Sequence, residues 1–314
     1  MTHISRKIFL GFLTSLAVMA NGVVSAQSGI TGSVGTFYVT PTSDFQDYSA
    51  SFDTNTSTST VNNIDPEYQW GVDASLGYIF KETANSVELF FRNISTNDSG
   101  SASGYFPSVN GNGNFSGDLD YELNSFDLMF SQFISASEAM QLRLSGGLAY
   151  VDLERSENGA FVATDGSVVP YSYNLQSTFN GWGPRISIDT RYGFAGTMKA
   201  LGVVGNGSMA YYQGDMDSSI YESQDGLELE NDPGNHAVLN FRANLGVDYV
   251  YFFKNHKGAR LGLELGYLID FYDDGALETN LHDAGSLPEG KAGSTTETTS
   301  ISFAGPYLTL KGVF

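Results

Sequence analysis

Four histidines and no cysteine set narrow limits on the chemistry open to this chain of 314 residues. His3 lies in the leading stretch and His256 in the run Lys254-Asn255-His256-Lys257-Gly258. The remaining acid–base candidates are His236, close behind Asp232, and His282, next to Asp283. Neither pair has a spaced nucleophile, and a loop histidine near an aspartate is ordinarily a solvated polar group. Catalytic residues are therefore not expected, and the chain reads as non-enzymatic. The lack of thiols removes disulfides and thiolate metal sites. Gly111-Asn112-Gly113-Asn114-Phe115-Ser116-Gly117 has the glycine content of a phosphate cradle, but no strand-to-helix turn frames it, so it reads as a flexible loop. Acidic runs offer oxygen ligands without the spacing of a calcium loop. No cofactor or metal site is expected.

The charges with a regular address are more informative. Asp73, Glu88, Asp127, Asp189, Asp248, Glu264 and Asp270, with Arg92, Arg143, Arg185, Arg191, Arg242, Arg260 and Lys311, all fall on the polar side of segments whose alternate residues are apolar. Seven acids against seven bases would line one common interior. Two readings follow: a charge-paired plug filling a narrow barrel, or a polar, water-containing conduit. Arg242 and Asp270 fall at similar heights on consecutive segments and are expected to pair, as are Glu264 and Lys311.

The elements that must position these charges alternate with period two. Ile301 to Phe314 carries Ala304, Pro306, Leu308, Leu310 and Gly312 on one face and Gly305, Tyr307, Thr309, Lys311 and Val313 on the other. Similar runs begin near Ser33, Tyr68, Ser86, Phe126, Met140, Trp182, Ala200, Leu239 and Leu261, the Ala200 run being blurred by Gly202, Gly205 and Gly207. Short turns at Lys81, Ser135, Ala195 and Asn255 alternate with five long polar stretches, Thr42 to Asp65, Asn97 to Asp118, Arg155 to Tyr173, Gly214 to Asn235 and Asp273 to Ser300, read as loops. The expected fold is all-β: a transmembrane antiparallel up-and-down barrel of about ten strands, eight and twelve being the neighbouring even counts. A closed ring is required because an open sheet edge in hydrocarbon leaves backbone groups unsatisfied. Phe80, Phe130, Tyr192, Tyr251 and Phe314 would form an aromatic girdle at the short-turn end, and Tyr150, Tyr211, Phe271 and Tyr272 one at the loop end. Short turns are assigned to the periplasm and long loops to the outside.

Arg6 and Lys7, the apolar run Ile8 to Ala20 and Val24-Ser25-Ala26 form a signal peptide over residues 1–26, cleaved between Ala26 and Gln27, leaving 27–314 as the barrel. Neither that run nor any later window reaches the roughly 18 apolar residues that a membrane helix needs. A mean hydropathy of -0.15 fits a barrel, in which lipid-facing residues are averaged with lumen-facing ones. The mature part holds 13 basic against 35 acidic residues, which argues against nucleic acid as a partner.

Phe179-Asn180-Gly181-Trp182-Gly183-Pro184-Arg185, Gly305-Pro306-Tyr307-Leu308-Thr309-Leu310-Lys311 and Gly146-Gly147-Leu148-Ala149-Tyr150 resemble the Legionella-type major outer membrane proteins, a family of pore-forming barrels. The likeness runs from about Tyr121 onward and is thin before it. It implies an outer-membrane location and passive diffusion of ions or small solutes, with cysteine cross-links ruled out here. Expected partners are outer-membrane lipid, lipopolysaccharide bridged through divalent ions, and the barrel-assembly machinery, for which Phe314 would be the C-terminal signal. A structural or adhesive surface barrel, its acidic loops binding host or matrix partners, is the alternative.

Overall fold

A computed structural model describes residues 28–314 apart from 44–46, 54–57, 82, 84, 107–110, 136–138, 165–169, 195–199, 224–226, 254–258 and 283–292. The expected cleavage between Ala26 and Gln27 therefore falls outside the described residues. Among the described residues twelve strands follow one another: β1 Gly29–Ser43, β2 Asp47–Asp53, β3 Thr58–Asn63, β4 Gln69–Ile79, β5 Asn85–Phe106, β6 Gly111–Ser135, β7 Met140–Ala163, β8 Tyr171–Gly193, β9 Leu201–Glu222, β10 Leu227–Phe252, β11 Arg260–His282 and β12 Gly293–Val313.

Ten of them close a ring. β1 pairs with both β4 and β12, β5 pairs with β4 and β6, and the rest pair in sequence, all antiparallel. At the seam Ile30 and Phe314 exchange two backbone hydrogen bonds of 2.9 Å. β2 and β3 form a side hairpin attached to the upper part of β5. The ring removes every edge at membrane depth, as a lipid-embedded sheet requires.

Period-two patterning sets the two faces. Leu76, Leu89, Leu128, Leu245, Leu265 and Leu308 stand exposed on the outside of the ring, and their strand neighbours turn inward. Phe80, Phe130, Tyr192, Tyr251 and Phe314 are exposed near the short-turn end. At the other end Tyr38 packs on Trp70 at 4.8 Å and Tyr150 on Trp182 at 4.7 Å, with Tyr211 exposed beside them. Tyr272 is a correction: it points inward and is fully buried, because it continues the inward row of Glu264, Leu268 and Asp270 on β11 while Phe271 beside it faces the other way.

The long stretches are corrected too. Most of their residues continue the strands: β5 and β6 stay in register from Asn85–Gln132 to Phe106–Gly111, and β7 and β8 from Met140–Tyr192 to Phe161–Tyr171. The hydropathy alternation stops where the sheet leaves the apolar layer, but backbone pairing does not. Gly111–Gly117 is thus the start of β6 and not a flexible loop. The Ala200 run, weakest in pattern, is an unbroken 22-residue strand. Some glycines mark close backbone approach: a Cβ on Gly147 would strike the Leu128 carbonyl, and one on Gly183 the Tyr211 carbonyl.

Candidate functional site

The interior has three tiers. Nearest the short turns is a cavity of about 360 Å³ lined by thirteen of the fourteen inward charges named above, all but Asp270. Arg143 donates through Nε to Asp189 at 2.9 Å and through Nη1 to Glu88 at 2.8 Å, while Ser75 donates to the other Glu88 oxygen at 2.7 Å. Arg191 Nε meets Asp248 at 2.6 Å, in space left by the missing side chain of Gly202. Lys311 and the Tyr307 hydroxyl each donate to Glu264, at 2.6 and 2.7 Å. Arg260 lines the same cavity. The Lys311 side chain is 54 % exposed, so water reaches this tier from the short-turn end.

The middle tier braces the lumen from wall to wall. Asp270 on β11 is fully buried and accepts from Arg92 on β5 and Arg242 on β10, both at 2.9 Å, and from Asn240 Nδ2 at 2.7 Å. β4, β1 and β12 separate β5 from β11 in the ring, so the Arg92–Asp270 bond crosses the interior. Asp127 on β6 lies 3.3 Å from Arg185 Nε and 3.7 Å from Arg242 Nη1, the second contact also spanning the lumen. Arg185 further donates to Tyr212 Oη at 2.6 Å, Asn240 Oδ1 at 2.8 Å and Ser208 Oγ at 3.0 Å. Asp73 approaches Arg92 at 3.8 Å. Both expected pairs, Arg242–Asp270 and Glu264–Lys311, are formed.

Above this layer the interior turns apolar. Phe37, Ile94, Leu123, Val151, Phe179 and Phe303 are buried to 1 % exposure or less and belong to one packed core with Tyr121, Met216, Val238 and Ile301. Among the described residues, such packing leaves no continuous water column in the half of the barrel near the long hairpins. The sequence had shown the charged rows but not this fill, since an inward aromatic and an outward one look alike in a short alternating run. Also missed was Arg155, 1 % exposed, which donates to Glu157 at 2.6 Å; the Tyr173 hydroxyl donates to the same carboxylate at 2.7 Å. Burial and the Glu157 charge push the Tyr173 phenol well above its usual range.

None of this assembles an acid–base constellation among the described residues. His236 is half-buried on β10, its Nε2 without a hydrogen-bond partner among the described residues, and no nucleophile stands beside it. Asp232 lies in β10 and His282 ends β11, but their side chains, and all of His256 and Asp283, lie outside the described residues.

The family model described as Legionella pneumophila major outer membrane protein precursor matches residues 25–314. No curated protein matches the chain. Among solved structures, the outer membrane protease OmpT of Escherichia coli is 11 % identical, with 94 % of this chain and 98 % of that one covered at a TM-score of 0.45. A major outer membrane protein of Thermus thermophilus is 11 % identical over 92 % of this chain and 100 % of its own, at 0.34. The toluene transporter TodX of P. putida is 10 % identical over 92 % and 90 %, at 0.32. Those distant likenesses carry no argument about activity. The whole-length match, on a closed ring with an apolar belt outside and ionic rows within, places the chain in the Legionella major outer membrane protein family, as an outer-membrane β-barrel.

Proposed function

We propose that this barrel is a porin-like, non-enzymatic protein held shut in the conformation described, passing ions or small solutes by passive diffusion only when its packed outer half yields. The observation that carries the reading is the water-reachable ionic cavity that ends on the Arg92–Asp270–Arg242–Asp127 layer beneath an apolar fill. With short turns in the periplasm, that cavity is a half-channel open to the periplasm. Residues 1–26 act as the export signal, and outer-membrane lipid, lipopolysaccharide and the assembly machinery are the partners of the folded ring.

Planar-bilayer recording of the refolded protein tests it. Brief, small openings are expected, preferring cations over anions because exposed carboxylates such as Glu228 and Glu230 stand at the outer end of β10, with the preference growing at low salt where screening weakens. A current that is absent at all voltages, or that prefers anions, refutes the reading. The apolar fill itself favours a second one: a permanently closed surface barrel whose strand-built walls bind external partners. Adhesion lost on shortening those walls, with no current in either form, would select it.

A further inference from the structure

β11 does not stay in the wall. Elsewhere buried and exposed residues alternate, but Gly275, Ala276 and Leu277 are buried in succession, so this part of the strand is covered on both faces. The departure starts at the register shift between Tyr272 and Ala276, where Asp274 adopts a left-handed φ of 56°. Thr298 and Ser300 of β12 tie the bend, donating to Asp274 at 2.7 Å and to Asp273 at 3.0 Å. Beyond it, β11 reaches β7, β8 and β9, its non-neighbours in the ring. The Leu277 amide donates to Ser177 Oγ of β8 at 2.8 Å, and a Cβ on Gly275 would lie 3.1 Å from Leu153 Cδ2 of β7. The strand pair therefore crosses the mouth of the barrel and rests on the opposite wall.

We propose that the described limbs of β11 and β12, residues 273–282 and 293–300, bending at Asp273–Gly275, are a lid whose seat is Leu153, Ser177 and Leu277, and that their release opens the outer half of the barrel. The proposal rests on the closed-pore reading for its purpose, but not for its geometry. Packed interfaces of this kind have discrete arrangements, seated or released, instead of a continuum. Among the described residues the seat shows one hydrogen bond and a few apolar contacts, while the bend is already built into the strand, so lifting these limbs leaves the ring's own ladders intact.

The chain has no cysteine, so introduced thiols report cleanly. Leu153→Cys with Gly275→Cys should form a disulfide in cells without reductant; two free thiols in folded, outer-membrane protein would overturn the seat. In a separate full-length variant, Ser218→Cys, whose Cα partner across the ladder is Ser177, reports access from outside with an impermeant maleimide. Labelling should be slow with the lid seated and at least tenfold faster when Leu277→Asp is added. An equal rate in both backgrounds, with folding verified by heat-modifiable gel mobility, refutes the lid. Faster labelling with no current establishes the lid and sinks the pore reading instead; current with unchanged labelling does the reverse.

Discussion

Removing either partner of the Arg242–Asp270 pair should cost far more than a surface ion pair would. Asp270 has no exposed surface, and the Arg242 side chain is 12 % exposed, so solvent screens little of the charge left behind. Stranding one member of a buried pair costs about 3–5 kcal/mol. Arg242→Ala belongs at the low end, about 3 kcal/mol on that scale, because Asp270 keeps Arg92 and Asn240. Asp270→Ala belongs at the high end, about 5 kcal/mol, since two guanidinium groups lose their shared carboxylate. The double variant removes both halves, so it should cost less than the sum, with a coupling of about 2–3 kcal/mol, near the upper range for contacting residues. Reversible urea unfolding in lipid vesicles measures this through Trp70 and Trp182, both exposed on the outer face. Single variants losing less than about 1 kcal/mol, or a cycle additive to within about 0.5 kcal/mol, would refute a dry ionic brace and point to a hydrated lumen.

Three further outcomes are expected. A tag inserted between Ser223 and Leu227 should be detected by antibody on intact cells and one between Phe253 and Ala259 should not; detection of the second reverses the orientation. Gly147→Ala places a methyl group against the Leu128 carbonyl, and a cost of about 1–3 kcal/mol should appear as a lower urea midpoint, whereas Gly262→Ala, with its nearest neighbour at 3.6 Å, should leave it unchanged. For Tyr173 the folded phenol sits above its unfolded value near 10, so its contribution is full below about pH 10 and is lost as pH rises further. Tyr173→Phe should flatten that alkaline loss of stability in a pH series of unfolding curves, and an identical slope would contradict the burial of this group.

How much of the barrel was legible depends on which physical pressure wrote each residue. Lipid on one side and a lumen on the other force the alternation seen in Leu239 to Tyr251 and Leu261 to Phe271, so the rows and even the Arg242–Asp270 register could be read directly. Outside the membrane the outward row of a strand turns polar and the inward row keeps only scattered aromatics such as Phe106 and Phe115, so Asn97 to Asp118 has loop composition while its described residues form a paired ladder. The inner fill escaped for a related reason. Phe179 and Phe303 are apolar residues on nominally polar rows, and only the closed ring shows that they meet. Tyr272 was legible: it stands two residues beyond the inward Asp270, and adjacent residues of a strand such as Phe271 and Tyr272 cannot share one outward girdle.

At the seam the two ends of the barrel nearly rejoin. Gly29 and Phe314 lie side by side on the same rim, and Phe314 bonds back to Ile30 on both its amide and carbonyl. The ring therefore has no privileged starting strand, only one missing turn. A short linker from residue 314 to residue 28, with the chain reopened between β6 and β7, would give a permuted order of the same ten staves. Its assembly would show whether the order in which strands emerge, or only their neighbours, is what the fold remembers. Conversely, a peptide fused after Phe314 emerges at the seam where β1 and β12 must zip together, so added sequence there would burden closure more than an insertion in any outer hairpin.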